Sequence, residues 1–204
     1  MKIAVFGGSF DPVHRGHLAA ADAVAARLQP DRFFWVPARR SPHKPGQAPA
    51  EDSARLSLLR SALASRPREE LCTLELERPG PSYTVDTLEE LQRQYPEAEL
   101  WLVLGADALK NLPTWHEFPR LLALARLAVV PRDRHGVEAL DALRRRLPGE
   151  LAPRMRARFV AMTPVAASST GIRERLQRGE ACGDLLPPEV EQEVRRLGLY
   201  CSAT

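Results

Sequence analysis

The chain has 204 residues, of which 44% are hydrophobic and 27% charged, a balance typical of a globular protein with a sizeable core. Its net charge is only +3 and its aromatic content 6%, without a block of lysine and arginine, so we expect no nucleic-acid partner. The same balance is compatible with small anionic ligands.

The chain begins with a strand-like run rather than a signal peptide, and no apolar stretch approaches the length of a membrane span, so we expect no membrane partner. Cys72, Cys182 and Cys201 are too widely spaced for a zinc ribbon or a disulfide framework. We therefore expect a cytoplasmic protein. The sequence is compatible with a homo-oligomer but does not determine the oligomeric state.

Short apolar runs alternate with amphipathic segments along the whole chain. The predicted strands are 2–6, 32–36, 72–76, 100–104, 127–130 and 159–162. The predicted helices are 18–28, 51–65, 84–95, one that ends at 121–125, 137–147, 169–178 and 187–197. This order predicts an α/β fold, a Rossmann-like doubly wound parallel sheet with helices on both faces. We expect one domain, 1–204, with a small helical C-terminal part from about 165.

Ligands of such sheets bind beyond the carboxyl ends of the strands, and the segment GGSFDPVHRGH follows the first strand directly. It matches neither the P-loop nor the GxGxxG pattern. Gly7 and Gly8 allow close backbone approach to a ligand, and Gly16 leaves room for a flat base or sugar. His14 and His17 lie three residues apart at a helix start, where anions are favoured. The segment therefore predicts a phosphate site.

Two other interpretations of this segment remain open. A histidine pair can bind zinc, for which Asp11 is the only nearby third ligand. An ordinary capped helix with two incidental histidines is the plainest alternative. The combination of glycines, the Asp-Pro turn and both histidines favours phosphate binding over either.

Four later segments carry further candidate residues. SPHK, in the proline-rich loop 37–50, offers Lys44 as an anion clamp or as an ordinary solvated lysine. SYTVDTL opens a helix, for which Thr84 is a natural N-cap. Gly105 and Asp107 follow the fourth strand, where an aspartate suits a sugar hydroxyl or simply caps a helix. Trp115 lies in the polar segment PTWHEF and can stack on a flat pyridinium ring.

The segment SSTGIR combines three hydroxyls with Arg173 at a second helix start. Ordinary capping explains a single serine, but three hydroxyls with an arginine favour a second anion site.

The stretch GSFDPVHRGH resembles the (G)xFDPxHxGH signature of the HxGH nucleotidylyltransferase superfamily. Together with the later segments, it makes the chain from Met1 to Tyr200 similar to bacterial nicotinate-mononucleotide adenylyltransferases. The resemblance implies transfer of the adenylyl group of ATP to nicotinate mononucleotide, with release of pyrophosphate, in NAD biosynthesis.

The resemblance also implies roles for individual residues. The catalytic residues would be His14, His17 and Arg173. The mononucleotide would lie against Lys44, Thr84 and Trp115. The ATP-binding residues would be Gly7, Gly8, Ser9, Phe10, Gly16, Gly105, Asp107, Ser168, Ser169 and Thr170. Mg²⁺ would enter with ATP, on triphosphate oxygens, with few or no protein ligands.

The sequence departs from the family pattern at three places. Ser41 replaces a proline, Ala167 replaces an isoleucine, and Asp133 follows Arg132 where the family has a proline. Nicotinamide mononucleotide or phosphopantetheine as the acceptor, or a nucleotide-binding regulator without turnover, are the alternatives. The regulator would predict a degraded motif, whereas His17 and Arg173 are both present.

Overall fold

The computed structural model describes residues 1–39, 49–131, 136–163 and 165–201. Its strands are β1 (Lys2–Gly8), β2 (Arg32–Pro37), β3 (Glu69–Leu71), β4 (Glu99–Gly105), β5 (Ala125–Val130) and β6 (Ala157–Phe159). Its helices are α1 (Arg15–Leu28), α2 (Asp52–Leu63), α3 (Leu74–Glu77), α4 (Thr84–Gln94), α5 (Phe118–Leu124), α6 (Gly136–Arg146), α7 (Ser169–Gln177) and α8 (Pro188–Arg196). Within the described ranges, no helix has the length and apolarity needed to cross a membrane.

The six strands form one sheet in the order β3-β2-β1-β4-β5-β6, and every neighbouring pair is parallel. Strand β1 is central and pairs with β2 on one side and β4 on the other. The strand order therefore reverses beside β1, which is the position where doubly wound sheets bind ligands. The predicted Rossmann-like fold is confirmed.

The alternation of side chains along each strand divides the core into two clusters, one on each face of the sheet. Ile3 and Val5 of β1 belong to a cluster with buried residues of α4, α5 and α6. Ala4 and Phe6 belong to the other cluster, with buried residues of α1, α2, α7 and α8. The C-terminal helices thus pack on the same face of the sheet as the helix that follows the first strand.

The predicted strand 72–76 is wrong. Strand β3 is only Glu69–Leu71, and the amide of Cys72 donates to the carbonyl of Trp35 (2.9 Å) where the ladder ends. The chain then turns, and the amides of Leu76 and Glu77 both donate to the carbonyl of Thr73. The alternation of apolar residues at 72, 74 and 76 resembled a strand, but an edge strand continues only as far as its neighbour offers hydrogen bonds.

The last predicted strand, 159–162, is shifted, because β6 ends at Phe159. The other predicted strands and helices fall within about three residues of the observed ends, which is the usual uncertainty of such boundaries.

A fully buried arginine connects α2 to the loop after β1. The guanidinium of Arg55 is 0% exposed and donates to the carbonyls of Ser9 (2.8 Å) and Ala50 (3.1 Å) and to the carboxylate of Asp52 (2.5 Å). These bonds satisfy the buried donors, as a charge in the core requires.

We predict that Arg55→Ala lowers the free energy of unfolding by about 2–4 kcal/mol, because buried carbonyls lose their donor and the side chain leaves a cavity. Chemical denaturation monitored by circular dichroism measures the change. Arg60→Ala is the matched control, since Arg60 lies exposed on the same helix. Equal stability of the two variants would contradict this account of Arg55.

Candidate active site

A cavity of about 430 Å³ opens at the carboxyl edge of the sheet, within the size range of small-molecule sites. The ends of β1, β4 and β5 form its floor, and the starts of α1, α4 and α7 reach its walls. The sequence-predicted residues that line it are Gly7, Gly8, Ser9, His14, Gly16, His17, Thr84, Gly105, Asp107, Trp115, Ser168, Ser169 and Thr170. Segments far apart in sequence thus meet in one space.

The three glycines of the opening motif have different surroundings. A Cβ on Gly7 would meet no atom within 4 Å, so its backbone borders open space in the cavity. A Cβ on Gly8 would lie 3.0 Å from the ring of Phe10, and one on Gly16 would lie 3.0 Å from the imidazole of His14. A side chain at position 16 would therefore crowd the imidazole of His14, and the expectation that Gly16 leaves room for a base or sugar stays a prediction.

The two histidines form a compact pair. Their rings stack with centroids 3.7 Å apart, and the ring of His17 also contacts the edges of Phe6 and Phe10. The backbone N–H of His14 donates to Nδ1 of His17 (3.3 Å). An acceptor nitrogen carries no proton, so this bond places the proton of neutral His17 on Nε2. His17 can therefore donate a hydrogen bond from Nε2.

The loop between β1 and α1 depends on Asp11, which is 6% exposed. Its Oδ1 accepts from the hydroxyl of Tyr200 (2.7 Å) and the amide of Ala50 (3.2 Å). Asp11 is the nearby carboxylate that a zinc site would need beside the two histidines, and its Oδ1 instead accepts these two internal hydrogen bonds. Asp11 therefore acts as a structural anchor of the loop.

The start of α7 lines the cavity together with the two histidines, and this part of the cavity is called the phosphate end after the site that the sequence predicts. Ser168 caps the helix by accepting from the amide of Gly171 (3.1 Å), and Ser169 donates to the carbonyl of Pro12 (3.0 Å). Nη2 of Arg173 donates to the hydroxyl of Thr170 (3.4 Å). The three hydroxyls thus have partners within the protein, and the amide of Gly171 is capped by one of them. A helix start of this kind favours an anion near its first turn.

Two predicted residues lie just outside the lining. Phe10 is 1% exposed and supports His17 from behind, in a left-handed conformation with φ of 47°. Arg173 lies beside the lining residue Thr170, and its Nη1 donates to the carbonyl of Asp11 (2.7 Å). Lys44 lies outside the described residues.

Trp115 and the start of α4 line another part of the cavity, which is called the aromatic end. Trp115 is half-buried, packs partly against the core and lines the cavity. Nearby, the rings of Tyr83 and His116 stack with centroids 4.2 Å apart. Thr84 is the first residue of α4, and Tyr83 is its N-cap, so the predicted capping role of Thr84 is wrong. The amide groups of this helix start are suited to a carboxylate.

The sequence did not predict a buried glutamate that lines the cavity near the start of α4. Glu75 is 6% exposed, lines the cavity and accepts from the hydroxyl of Thr87 (2.9 Å). Burial raises the pKa of its carboxyl to about 7, although bonds from Thr87 and Ser82 oppose the rise. Ser82 in turn accepts from the amide of Arg39 (3.0 Å), which connects the segment before α4 to the segment after β2. Nothing in the sequence distinguishes Glu75 from Glu77, two positions later and exposed.

The lining of the cavity combines imidazoles and hydroxyls with one predicted carboxylate, that of Asp107. In the described part of the chain, no group of three or more histidine, cysteine, aspartate or glutamate side chains is placed to hold a metal ion. The imidazoles, hydroxyls and guanidinium at the phosphate end can all donate hydrogen bonds to phosphate oxygens.

A doubly wound parallel sheet with a glycine- and histidine-bearing loop at its switch point defines a nucleotide-binding α/β protein. A family model described as Cytidylyltransferase-like matches residues 5–175. Two similar proteins are named "Probable nicotinate-nucleotide adenylyltransferase". One, from Gloeobacter violaceus, is 39% identical over 98% of this chain and 96% of its own length. The other, from Thermus thermophilus, is 42% identical over 98% of this chain and its full length.

The chain therefore belongs to the cytidylyltransferase-like family and, within it, to the nicotinate-nucleotide adenylyltransferases. The fold is shared with a nicotinic acid mononucleotide adenylyltransferase of Plasmodium falciparum solved in complex with NaAD. That structure superposes with a TM-score of 0.77 at 16% identity, over 98% of this chain and 97% of the other.

We predict that Glu75→Gln stabilises the protein increasingly as the pH rises. A carboxyl whose pKa is raised from 4.5 to about 7 by folding stabilises the folded state at low pH and loses that contribution as the pH rises through 7. Glutamine keeps the acceptor for Thr87 and does not ionise. The difference in free energy of unfolding should therefore grow by about 2 kcal/mol between pH 5 and pH 8.

Urea denaturation at a series of pH values measures this difference, with Glu77→Gln as the control on the same helical turn. A difference that stays constant with pH would mean that burial does not hold the carboxyl of Glu75 neutral.

Proposed function

We propose that this protein transfers the adenylyl group of ATP to nicotinate mononucleotide, giving nicotinate adenine dinucleotide and pyrophosphate. The observation that carries the proposal is one continuous cavity that joins the histidine pair and the start of α7 to Trp115 and the start of α4. The end with the histidine pair and α7 suits a nucleoside triphosphate, and the end with Trp115 and α4 suits a flat ring that carries a carboxylate. The names of the similar proteins agree with this division.

In the proposed reaction, an oxygen of the mononucleotide phosphate attacks the α-phosphorus of ATP. The new P–O bond forms as the bond to the bridging oxygen breaks, and pyrophosphate leaves with the electron pair. The nucleophile is already ionised at neutral pH, so no general base is needed. Catalysis then consists of positioning and charge stabilisation.

Each end of the cavity has its part in this reaction. His17 donates from Nε2 to phosphate oxygens beside the reacting phosphorus, and the stacked His14 holds its ring. Arg173 and the first turn of α7 hold the departing pyrophosphate. The ring of Trp115 stacks on the pyridinium ring, while Lys44 guides the incoming phosphate; both roles remain predictions.

Nucleotidyltransferases that act on ATP generally use a divalent metal, and we propose Mg²⁺ here. Triphosphate oxygens would hold most of its coordination shell, because the donors at the phosphate end of this site are suited to anions. Bound in this way, the ion would neutralise charge on the leaving pyrophosphate.

We also propose that the enzyme works in the cytoplasm. Cys72, Cys182 and Cys201 form no disulfide in the described structure, which agrees with a reducing compartment.

A homo-oligomer remains a prediction that light scattering can test.

Separate assays with each acceptor test the substrate. We expect pyrophosphate release with nicotinate mononucleotide to exceed release with equal concentrations of nicotinamide mononucleotide or phosphopantetheine, because the start of α4 favours a carboxylate over an amide. A coupled pyrophosphate assay at fixed ATP measures all three. Preference for another acceptor would overturn the substrate assignment, and ATP binding without turnover on any acceptor would indicate a regulator.

We predict that His17→Ala lowers kcat by about 100-fold or more while the protein stays folded, because a donor to the transition-state charge is lost. His17→Gln should recover part of this loss, since its amide nitrogen can take the place of Nε2. Steady-state kinetics measure both variants, and circular dichroism checks the fold. Near-normal turnover of His17→Ala would remove His17 from the mechanism.

A further inference from the structure

The segment after α8 returns to the loop between β1 and α1. Tyr200 follows α8, yet its hydroxyl donates to Oδ1 of Asp11 (2.7 Å), 189 positions earlier in the sequence. Tyr200 has a φ of 62°, a left-handed conformation that is rare for an aromatic residue. The tail thus adopts an unfavourable backbone conformation where its hydroxyl meets the loop between β1 and α1.

The carboxylate of Asp11 lies between two sets of partners. Tyr200 and the amide of Ala50 both donate to Oδ1, whereas Oδ2 lies 3.6 Å from Nη1 of Arg173. The same nitrogen of Arg173 makes its shorter contact, 2.7 Å, with the neutral carbonyl of Asp11. The guanidinium is therefore oriented by the loop without forming a close salt bridge to the carboxylate.

This balance matters because a guanidinium in a close, bidentate salt bridge attracts a phosphate less strongly. Without the hydroxyl of Tyr200, the carboxylate of Asp11 would lose a donor on Oδ1 and could turn towards Arg173. The charge of Arg173 would then be neutralised within the protein.

We propose that Tyr200 is a positioning residue for the ATP phosphates, which acts through Asp11 to keep Arg173 directed at them. The inference rests on the proposed function, in which Arg173 holds the departing pyrophosphate. It assigns the C-terminal tail a part in ATP binding rather than in packing alone.

The hydroxyl can have this role throughout the working pH range. Burial, and then the negative charge of Asp11, raise the pKa of Tyr200 above its usual range, so the hydroxyl stays a donor. The tail has further anchors, because Leu199 and the ring of Tyr200 pack against the cluster that contains Val190 and Val194. Removal of the hydroxyl alone should therefore leave the tail in place.

Tyr200→Phe tests the proposal, with Tyr95→Phe as the matched control. The hydroxyl of Tyr95 also has a charged partner, Arg32, but Arg32 pairs with Glu70 and not with Asp11. We expect Tyr200→Phe to weaken ATP binding about tenfold, measured by calorimetry, and to change KM for the mononucleotide less than twofold. Tyr95→Phe should change neither.

Equal ATP affinity in the two variants would overturn the proposal. So would an equal loss for both substrates after Tyr200→Phe, because that pattern is expected of a structural role.

A double-mutant cycle tests whether Asp11 carries the effect. In an Asp11→Asn background, no carboxylate can neutralise Arg173, so Tyr200→Phe should change ATP affinity less than twofold. A full tenfold loss in that background would contradict the route through Asp11.

A second variant keeps the test independent of how well Tyr200→Phe folds. Ala50→Pro removes the other donor to Oδ1 of Asp11 and should weaken ATP binding in the same direction. Unchanged ATP affinity in this variant would contradict the proposal. Calorimetry measures ATP binding and needs no turnover. If the wild-type protein binds ATP but forms no dinucleotide, the proposed function is overturned. The ATP affinities of the variants still test the role of Tyr200 in that case.

Discussion

Beside β1 the sheet reverses the order in which strands are added, and the position of the site follows from this reversal. The connections after β1 and β4 leave the sheet in opposite directions, so a crevice remains above their carboxyl ends. The two faces of the sheet are covered by separate clusters, which hold α1 and α7 on one side and α4 on the other. The phosphate end and the aromatic end of the cavity are therefore built by helices from opposite faces.

The loop between β1 and α1 is fixed in the core by the buried side chains of Phe10 and Val13, and polar contacts from several elements hold its polar groups. Arg55 of α2 binds the carbonyl of Ser9, Arg173 of α7 binds the carbonyl of Asp11, and Tyr200 of the tail binds its carboxylate. These bonds position the stacked histidines before any substrate arrives. Such preorganisation suits a reaction whose catalysis consists of placing charges rather than moving protons.

Local patterns predicted those parts of the site that lie within one segment. The apolar run before GGSFDPVHRGH indicated a strand, and the glycines, Asp-Pro and histidines indicated the turn and helix that follow. The same kind of reasoning was wrong at 72–76, because the length of an edge strand depends on its partner. Local reasoning also missed Glu75, because its carboxyl is buried by contact with the start of α4, where Thr87 donates to it.

The sequence by itself determined the class of sheet and, through a motif dense in unusual residues, the chemistry at its edge. Only the tertiary structure decided the roles of individual side chains. It placed the hydroxyls of α7 on internal partners, put the ring of His14 into the space beside Gly16, and brought Tyr200 to Asp11. The physical reason is range: turns and helix starts are set by neighbouring residues, whereas hydrogen-bond partners and burial are set by residues that the folded sheet brings together.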